Sequence, residues 1–132
     1  MFKLDIFNGA SGVELDFKID CDSLTVEDWV CLAQLTQEMV MAFNKVVGVP
    51  SGGLPYAEAL KKFEKPDYRP YTLLVVDDVW TTGYSMNKFL ESYKEPYDEV
   101  CKFVVFNRDF WKPSDVMCLF TLEDLLTHNY PK

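Results

Sequence analysis

Residues 73–85 read LLVVDDVWTTGYS and decide the fold, because they join an apolar run, two adjacent acids and a turn of small hydroxyl residues. The apolar run predicts a strand that is buried on both faces, and the pattern after it predicts a helix. Unpaired backbone amides and the helix dipole favour an anion at the start of a helix, and hydroxyl groups add donors. The candidate anion-binding residues are Thr81, Thr82, Gly83, Tyr84 and Ser85.

The two acids at the strand end, Asp77 and Asp78, would repel a bare phosphate, so we expect them to face a different group. The hydroxyl groups of a sugar, or a divalent cation, would suit paired carboxylates. A sugar phosphate presents an anion and a row of hydroxyls side by side. The window therefore predicts a ligand of this kind.

Other motifs with a similar strand end do not fit the chain. It contains no GxxxxGK[ST] loop and no GxGxxG turn. Phosphoacceptor receiver domains also carry a VVDD strand end, but too few of the 132 residues follow Asp78 to build the strands that would remain. For VVDD taken alone, an acidic strand end that caps a helix is the structural alternative.

Strand and helix patterns alternate along the rest of the chain. VELDFKID alternates apolar and charged residues and predicts a half-buried strand over 13–20, and Thr25 with Asp28 predicts a helix N-terminus. The segment EKPDYRPY, residues 64–71, is expected to be a loop. The other predicted elements are helices over 26–44, 85–94 and 121–126, a helix that opens at Leu54 or Pro55, and strands over 45–50, 72–77, 101–107 and 117–120.

This alternation predicts an α/β fold with three layers, in which helices flank a small parallel sheet on both faces. We expect one domain over residues 1–132. In such folds ligands bind beyond the carboxyl ends of the strands. The turns at 51–53 and 81–85 both follow a predicted strand, so they are expected to face one crevice.

Composition and charge restrict the function classes. The chain has 13 basic and 21 acidic residues, a formal net charge of −8 that opposes nucleic-acid binding. No apolar run approaches the roughly 20 residues that span a bilayer, so we expect a soluble, cytoplasmic protein without a membrane partner. With no CxxC pair and a single histidine, His128, a zinc site is not expected. The four cysteines, Cys21, Cys31, Cys101 and Cys118, are interpreted as buried thiols.

The window LLVVDDVWTTGYS resembles the signature with which type I phosphoribosyltransferases bind 5-phosphoribosyl 1-diphosphate (PRPP): four apolar residues, two acids and a TGxS or TGxT turn. Upstream, VVGVPSGGLPYAEAL is similar to the pyrophosphate-binding loop of this family, and KFVVFNRDF and LFTLEDLL extend the resemblance downstream. The opening SGVELDFKID and the helix after it look most like the orotate phosphoribosyltransferase branch. That likeness implies a small N-terminal hood strand beside the main sheet.

The resemblance implies an enzyme, a glycosyltransferase that moves ribose 5-phosphate from PRPP to a nucleobase-like acceptor and releases pyrophosphate. It implies that Asp77 and Asp78 contact the ribose 2- and 3-hydroxyls and favour the cationic sugar of the transition state. Residues 81–85 would bind the 5-phosphate. Magnesium would bridge the pyrophosphate to the ribose without a set of direct protein ligands, and family habit implies a homodimer. The residues that would line the pyrophosphate are Pro50, Ser51, Gly52 and Gly53.

Arg108 follows the predicted strand over 101–107 and matches an arginine that faces the base in the orotate branch. A surface arginine paired with Asp109 is the alternative interpretation. In the hood, Ala10 stands where the orotate branch has a base-contacting lysine, which argues against an anionic pyrimidine as the acceptor. Phe17 either stacks on a base or packs in the core.

The segment between the pyrophosphate-loop helix and the VVDD strand departs from the family pattern. Family members place a further strand and a long mobile loop, rich in Lys and Arg, where this chain has only EKPDYRPY. The loop that closes over pyrophosphate and excludes water is therefore expected to be missing or reduced to a stub. The candidates to replace its basic groups are Lys61, Lys62, Lys65 and Arg69, although a solvated lysine face explains Lys61 and Lys62 equally well.

The sequence is compatible with two functions. The first is a minimal phosphoribosyltransferase, favoured because the acid pair and the SGG turn are both kept. The second is a PRPP- or nucleotide-binding regulatory module without turnover, favoured by the short segment at 64–71. Pyrophosphate release in the presence of a base would distinguish the two.

Overall fold

The structure is a computed structural model that describes residues 3–8, 15–20, 24–108 and 115–121. The predicted strand over 13–20 is confirmed from Leu15, and the predicted helix over 121–126 lies outside the described residues from position 122 onward. In chain order the elements are β1 (Lys3–Asn8), β2 (Leu15–Asp20), α1 (Val26–Met39), β3 (Lys45–Gly48), α2 (Leu54–Leu60), a short 3-10 helix (Lys61–Phe63), β4 (Thr72–Trp80), α3 (Tyr84–Ser92), β5 (Glu99–Asn107) and β6 (Val116–Thr121).

The main sheet has four parallel strands in the order β3-β4-β5-β6. A separate antiparallel pair is formed by β1 and β2, so the predicted N-terminal strand has a partner that the sequence analysis does not predict. The predicted fold class, a small parallel sheet flanked by helices with an N-terminal hood element, is confirmed.

Successive side chains of β4 point to opposite faces of the sheet and are buried on both, as expected for a strand covered on both sides. Leu74 and Val76 pack with α1 and α2, and Leu73 and Val75 pack with α3. Tyr56 of α2 is fully buried on the first face, and its hydroxyl is hydrogen bonded to Thr36 of α1. The sheet is thus the middle layer of three.

Helix α1 begins as predicted and ends earlier than predicted. The Thr25 hydroxyl accepts from the Asp28 amide, and the Asp28 carboxylate accepts from the Thr25 amide, both at 3.1 Å, which completes a capping box. The helix ends at Met39, and Val40 is already extended, so the predicted extension to Asn44 is wrong. The chain leaves the helix because Asn44 pairs instead with the start of β4.

Asn44 joins β3, β4 and the loop that precedes β4. Its backbone amide donates to the Thr72 carbonyl at 2.9 Å, and its side-chain oxygen accepts from the Thr72 amide at 2.7 Å. Its side-chain nitrogen lies within hydrogen-bonding distance of three loop carbonyls. These are the carbonyls of Lys65 at 3.1 Å, Pro66 at 3.1 Å and Tyr68 at 2.6 Å.

The Asn44 contacts fix the 64–71 loop at the amino-terminal edge of the sheet. The Lys65 amide donates to the Phe43 carbonyl at 2.9 Å, just before β3 begins. The Arg69 guanidinium donates to the Tyr68 carbonyl at 2.7 Å within the same loop. Lys65 and Arg69 therefore lie at the edge opposite to the carboxyl ends of the strands, and the expectation that they replace the basic closing loop is wrong.

The interpretation of the cysteines as buried thiols is wrong for Cys31, which is exposed on the outer side of α1. Cys101 and Cys118 are partly buried, burial raises the pKa of the Cys101 thiol, and Cys21 lies outside the described residues. Among the described helices, none combines the length and the apolar character needed to cross a membrane.

Asn44→Ala is expected to lower the free energy of unfolding by at least about 2 kcal/mol, because it leaves the Thr72 amide and three loop carbonyls without their partner. Urea denaturation measures the change. Gln34→Ala, on the exposed side of α1, is the control and is expected to stay within about 0.5 kcal/mol of the parent protein. Equal losses for the two variants would contradict the anchoring role of Asn44.

Candidate functional site

The candidate site lies where β4 extends beyond its neighbour β3. The last residue of β3, Gly48, pairs with Val76, so the stretch from Asp77 to Trp80 projects past the end of β3. The sequence predicts a strand that ends at Asp77, and the observed strand is three residues longer. Both acids therefore stand on a strand, at the carboxyl edge where ligands of parallel sheets bind.

The SGG turn follows β3 and approaches the projecting part of β4. The Val49 amide donates to the Val76 carbonyl at 2.9 Å, and the Gly53 amide donates to the Val49 carbonyl at 2.8 Å. These two bonds hold the start of the turn against β4. The predicted pyrophosphate residues Pro50, Ser51, Gly52 and Gly53 all lie in this one turn between β3 and α2, and the Pro50–Ser51 peptide bond is cis.

Gly52 packs directly on the carboxylate of Asp78. A Cβ atom built on Gly52 would lie 2.7 Å from Cγ and 2.8 Å from Oδ1 of Asp78, and nearer still to Oδ2. Any side chain at position 52 would thus displace the carboxylate. This contact brings the SGG turn to Asp78, while a crevice shared by the turns at 51–53 and 81–85 stays a prediction.

The TTGYS turn leads into α3. Gly83 has φ of 82°, a left-handed conformation that other residues rarely adopt, and it precedes the first residue of α3, Tyr84. The Tyr84 amide donates to the Thr82 hydroxyl at 3.3 Å. The amides of Ser85 and Met86 have no hydrogen-bond partner among the described residues. This first turn therefore offers free amides and the positive end of the helix dipole to an anion.

Asp77 and Asp78 face different parts of the site. Asp77 lines a small cleft with the TTGYS turn, whereas Asp78 faces Gly52. Each carboxylate accepts from the next backbone amide at 2.8 Å: Asp77 from Asp78, and Asp78 from Val79. The residues that line the cleft are Asp77, Val79, Trp80, Thr81, Gly83, Tyr84, Ser85 and Met86.

Burial, together with the neighbouring Asp78, raises the pKa of Asp77 to about 8. Burial is the larger cause, because it disfavours the charged form of a carboxyl group. The raised pKa favours the protonated form of Asp77 at neutral pH. A protonated Asp77 does not repel an anion in the cleft and can donate a hydrogen bond to it.

Arg108 lies one strand away from the acid pair. Its amide donates to the Trp80 carbonyl at 2.8 Å, which places the residue just beyond the ends of β4 and β5. The residue is partly exposed. Asp109, its partner in the alternative interpretation, is outside the described residues, as are Ala10 and the side chain of Phe17.

The described residues offer few direct ligands to a metal ion at this site. Within the described part of the chain, no group of three or more His, Cys, Asp or Glu side chains converges. Magnesium is commonly bound by one or two carboxylates together with water and substrate phosphates. The acid pair fits an ion that is carried mainly by a phosphorylated ligand, and does not fit a cage built by the protein alone.

Curated relatives support the resemblance in sequence. The chain is 28% identical to the orotate phosphoribosyltransferase of Pyrobaculum aerophilum, over 79% of this chain and 67% of the relative. It is 29% identical to that of Pyrobaculum calidifontis, over 74% and 64%. The chain thus spans about two thirds of the length of these relatives. No protein-family profile matches it.

Solved structures support the resemblance in fold. The orotate phosphoribosyltransferase of Aeropyrum pernix superposes with a TM-score of 0.69 at 22% identity, over 99% of this chain and 94% of the other. The Leishmania donovani UMP synthase gives 0.71 at 19%, over 96% and 34%. The chain is thus similar in sequence and in fold to type I phosphoribosyltransferases of the orotate branch. A Mycobacterium tuberculosis orotate phosphoribosyltransferase in complex with PRPP has the same fold, with a TM-score of 0.60 at 18% identity over 90% and 88%.

The chain lacks some segments that its relatives in sequence contain. The alignment with the Pyrobaculum aerophilum enzyme runs over 129 residues and yet takes in only 79% of the chain, so parts of that enzyme have no counterpart here. The short 64–71 loop, tied by Asn44 to the far edge of the sheet, is in keeping with such a loss.

Two features of the site are not predicted by the sequence analysis. The partition of Asp77 and Asp78 between two sub-sites depends on how β4 runs past β3. The second feature is Trp80, which lines the cleft. The sequence does not single it out, because a large apolar side chain at a strand end is typical of a core position. Its only signal is its place between the acid pair and the glycine turn.

Gly52→Ala is expected to destabilise the protein by about 1–3 kcal/mol, because the added methyl group overlaps the Asp78 carboxylate. In an Asp78→Ala background the same substitution should cost clearly less, since the carboxylate is gone. A double-mutant cycle by urea denaturation measures this coupling. Additive effects would contradict the close packing of the turn on Asp78.

Asp77→Asn is expected to stabilise the protein more at pH 8 than at pH 5. The folded state keeps the Asp77 proton up to a pKa of about 8, whereas the unfolded state releases it near 3.8. Stability contributed by the protonated group is therefore lost as the pH rises between these values. Thermal unfolding of both proteins from pH 5 to 8.5 measures the difference, and a difference that does not change with pH would contradict the raised pKa.

Proposed function

We propose that the protein binds PRPP with magnesium and transfers its ribose 5-phosphate to a nucleobase-like acceptor, with release of pyrophosphate. The observation that carries the proposal is the contact of Gly52 with Asp78, because it joins the SGG turn and the acid pair in one site. Asp77 connects that site to the cleft beneath the TTGYS turn. A ligand with phosphoryl groups at both ends of a sugar would span these two turns.

The first turn of α3 is proposed to hold the 5-phosphate. The free amides of Ser85 and Met86 supply donors, and the exposed hydroxyls of Thr81 and Thr82 add to them. The dipole of a helix contributes only about 0.3–2 kcal/mol, so the binding depends on the whole set of donors. The proton on Asp77 removes a repulsion that an ionised carboxylate would impose on the phosphate.

Asp78 is proposed to act at the reacting end of the sugar. Breaking the bond between C1 and pyrophosphate leaves positive charge on the ribose ring, and a nearby carboxylate stabilises that charge. The contact with Gly52 holds the Asp78 carboxylate against the turn that would line the pyrophosphate. Bound with the pyrophosphate, magnesium would neutralise the charge that the leaving group gains. The protein itself positions the two reacting parts.

A non-catalytic PRPP- or nucleotide-binding module is the second candidate, and the 64–71 loop favours it. This loop is held at the opposite edge of the sheet, so its basic residues cannot close over a ligand at the acid pair. Turnover of PRPP requires water to be excluded from the reacting sugar. A protein that only senses PRPP does not have this requirement.

Arg108 is proposed to face the acceptor, since it stands beyond the strand ends beside Trp80. We further propose that the chain acts as one domain, as a homodimer, in the cytoplasm. Sedimentation of the purified protein would test the dimer.

The transferase and the sensor are distinguished by two measurements on one sample. Calorimetry with PRPP and magnesium measures binding, and pyrophosphate release with a panel of free bases measures turnover. Binding together with base-dependent release is the expected result. Saturable binding without release for any base would instead establish the sensor.

Asp77→Asn combined with Asp78→Asn is expected to weaken PRPP binding at least about tenfold, because the sugar loses its hydrogen bonds to the charged Asp78 and to the carboxyl group of Asp77. The control is Asp67→Asn, an exposed acid in the 64–71 loop. It removes one carboxylate at a distant edge of the sheet and should leave the affinity unchanged. Unchanged affinity in the double variant would contradict the assignment of the acid pair.

A further inference from the structure

Trp80 is almost completely buried, with 4% of its surface exposed, and its indole nitrogen has no hydrogen-bond partner among the described residues. The indole N–H can only donate. A buried donor without an acceptor is rare in folded proteins because it loses its bonds to water and gains nothing in return. The position of Trp80 at the carboxyl end of β4 suggests where an acceptor would come from.

The side chain of Trp80 turns beneath the TTGYS turn. Strict alternation along β4 would place it on the face of Leu74 and Val76, yet it packs in the opposite cluster with Met86 and Val104. A Cβ atom built on Gly83 would lie 2.5 Å from Cη2 and 3.0 Å from Cε2 of the ring. Cε2 is bonded to the indole nitrogen, so the N–H lies next to the part of the ring that packs beneath Gly83.

The cleft above this edge has room for one oxygen atom. It is lined by Trp80 together with Asp77 and the TTGYS turn, and its volume is about 20 Å³, enough for a single water-sized group. The amides of Ser85 and Met86 and the indole N–H are all donors without a partner in the described chain. Several unpartnered donors around one small cleft suit a phosphoryl oxygen, which can accept from more than one of them.

We propose that the indole N–H of Trp80 donates a hydrogen bond to one phosphoryl oxygen of the ligand, from the floor of the cleft. The inference rests on the proposed function, since it assigns a further donor to the 5-phosphate of the same sugar phosphate. One oxygen of that phosphate enters the cleft. The other two stay outside, within reach of the exposed hydroxyls of Thr81 and Thr82.

Nuclear magnetic resonance of the intact chain, labelled with ¹⁵N at the tryptophan indoles, tests the contact directly. The chain has three tryptophans, and the Trp80 signal is identified as the one that Trp80→Phe removes. Titration with ribose 5-phosphate is expected to move the Trp80 indole proton downfield in a saturable way, while the Trp29 signal stays in place. Ribose without phosphate is the control and should move neither signal.

Trp80→Phe keeps an aromatic ring and removes the donor, so it is expected to weaken ribose 5-phosphate binding about tenfold in calorimetry. Trp29→Phe, in the core cluster between the sheet and helices α1 and α2, is the matched control and should leave the affinity unchanged. If Trp80→Phe does not fold, the Trp80 signal is assigned by elimination from the spectra of Trp29→Phe and Trp111→Phe, and the titration of the parent protein then decides the question.

The results of these experiments distinguish a failure of the Trp80 contact from a failure of the proposed function. An unmoved Trp80 signal while backbone amides of the TTGYS turn saturate with ribose 5-phosphate would overturn the indole contact and leave the function standing. Equal affinities of Trp80→Phe and the parent protein would do the same. If the parent protein binds neither ribose 5-phosphate nor PRPP, both the contact and the proposed function fail.

Discussion

The close approach of Gly52 to the Asp78 carboxylate is the constraint on which the rest of the site depends. It requires a residue without a side chain in the SGG turn, and it requires β4 to continue past the end of β3. The hydrogen bond from the Val49 amide to the Val76 carbonyl holds the two segments at this distance. Without that contact, the acid pair and the SGG turn would be two separate features of the sheet edge.

The two neighbouring acids face different parts of the site because a strand directs successive side chains to opposite sides. Asp77 lines the cleft beneath the TTGYS turn, where burial and its neighbour raise its pKa. Asp78 faces the SGG turn. The raised pKa of Asp77 lessens the repulsion that paired carboxylates would exert on an anion at the TTGYS turn.

The sequence predicted the layers, the parallel sheet and the place of the two turns, because apolar strands and glycine turns leave local patterns. It could not predict the end of α1, since Phe43 and Asn44 fit the helical pattern and leave it for contacts with residues more than 20 positions away. For the same reason it misjudged Lys65 and Arg69, whose place follows from the Asn44 contacts. The role of Trp80 depends on side-chain packing that no local pattern encodes.

A crystal structure of the protein with PRPP and magnesium tests the central claim most directly, namely that one sugar phosphate spans the two turns at the end of β4. We expect the 5-phosphate at the first turn of α3, the ribose over Asp77 and Asp78, and the pyrophosphate along Ser51, Gly52 and Gly53. A cleft that stays filled by side chains of the protein, or a ligand bound at the opposite edge of the sheet, would contradict it.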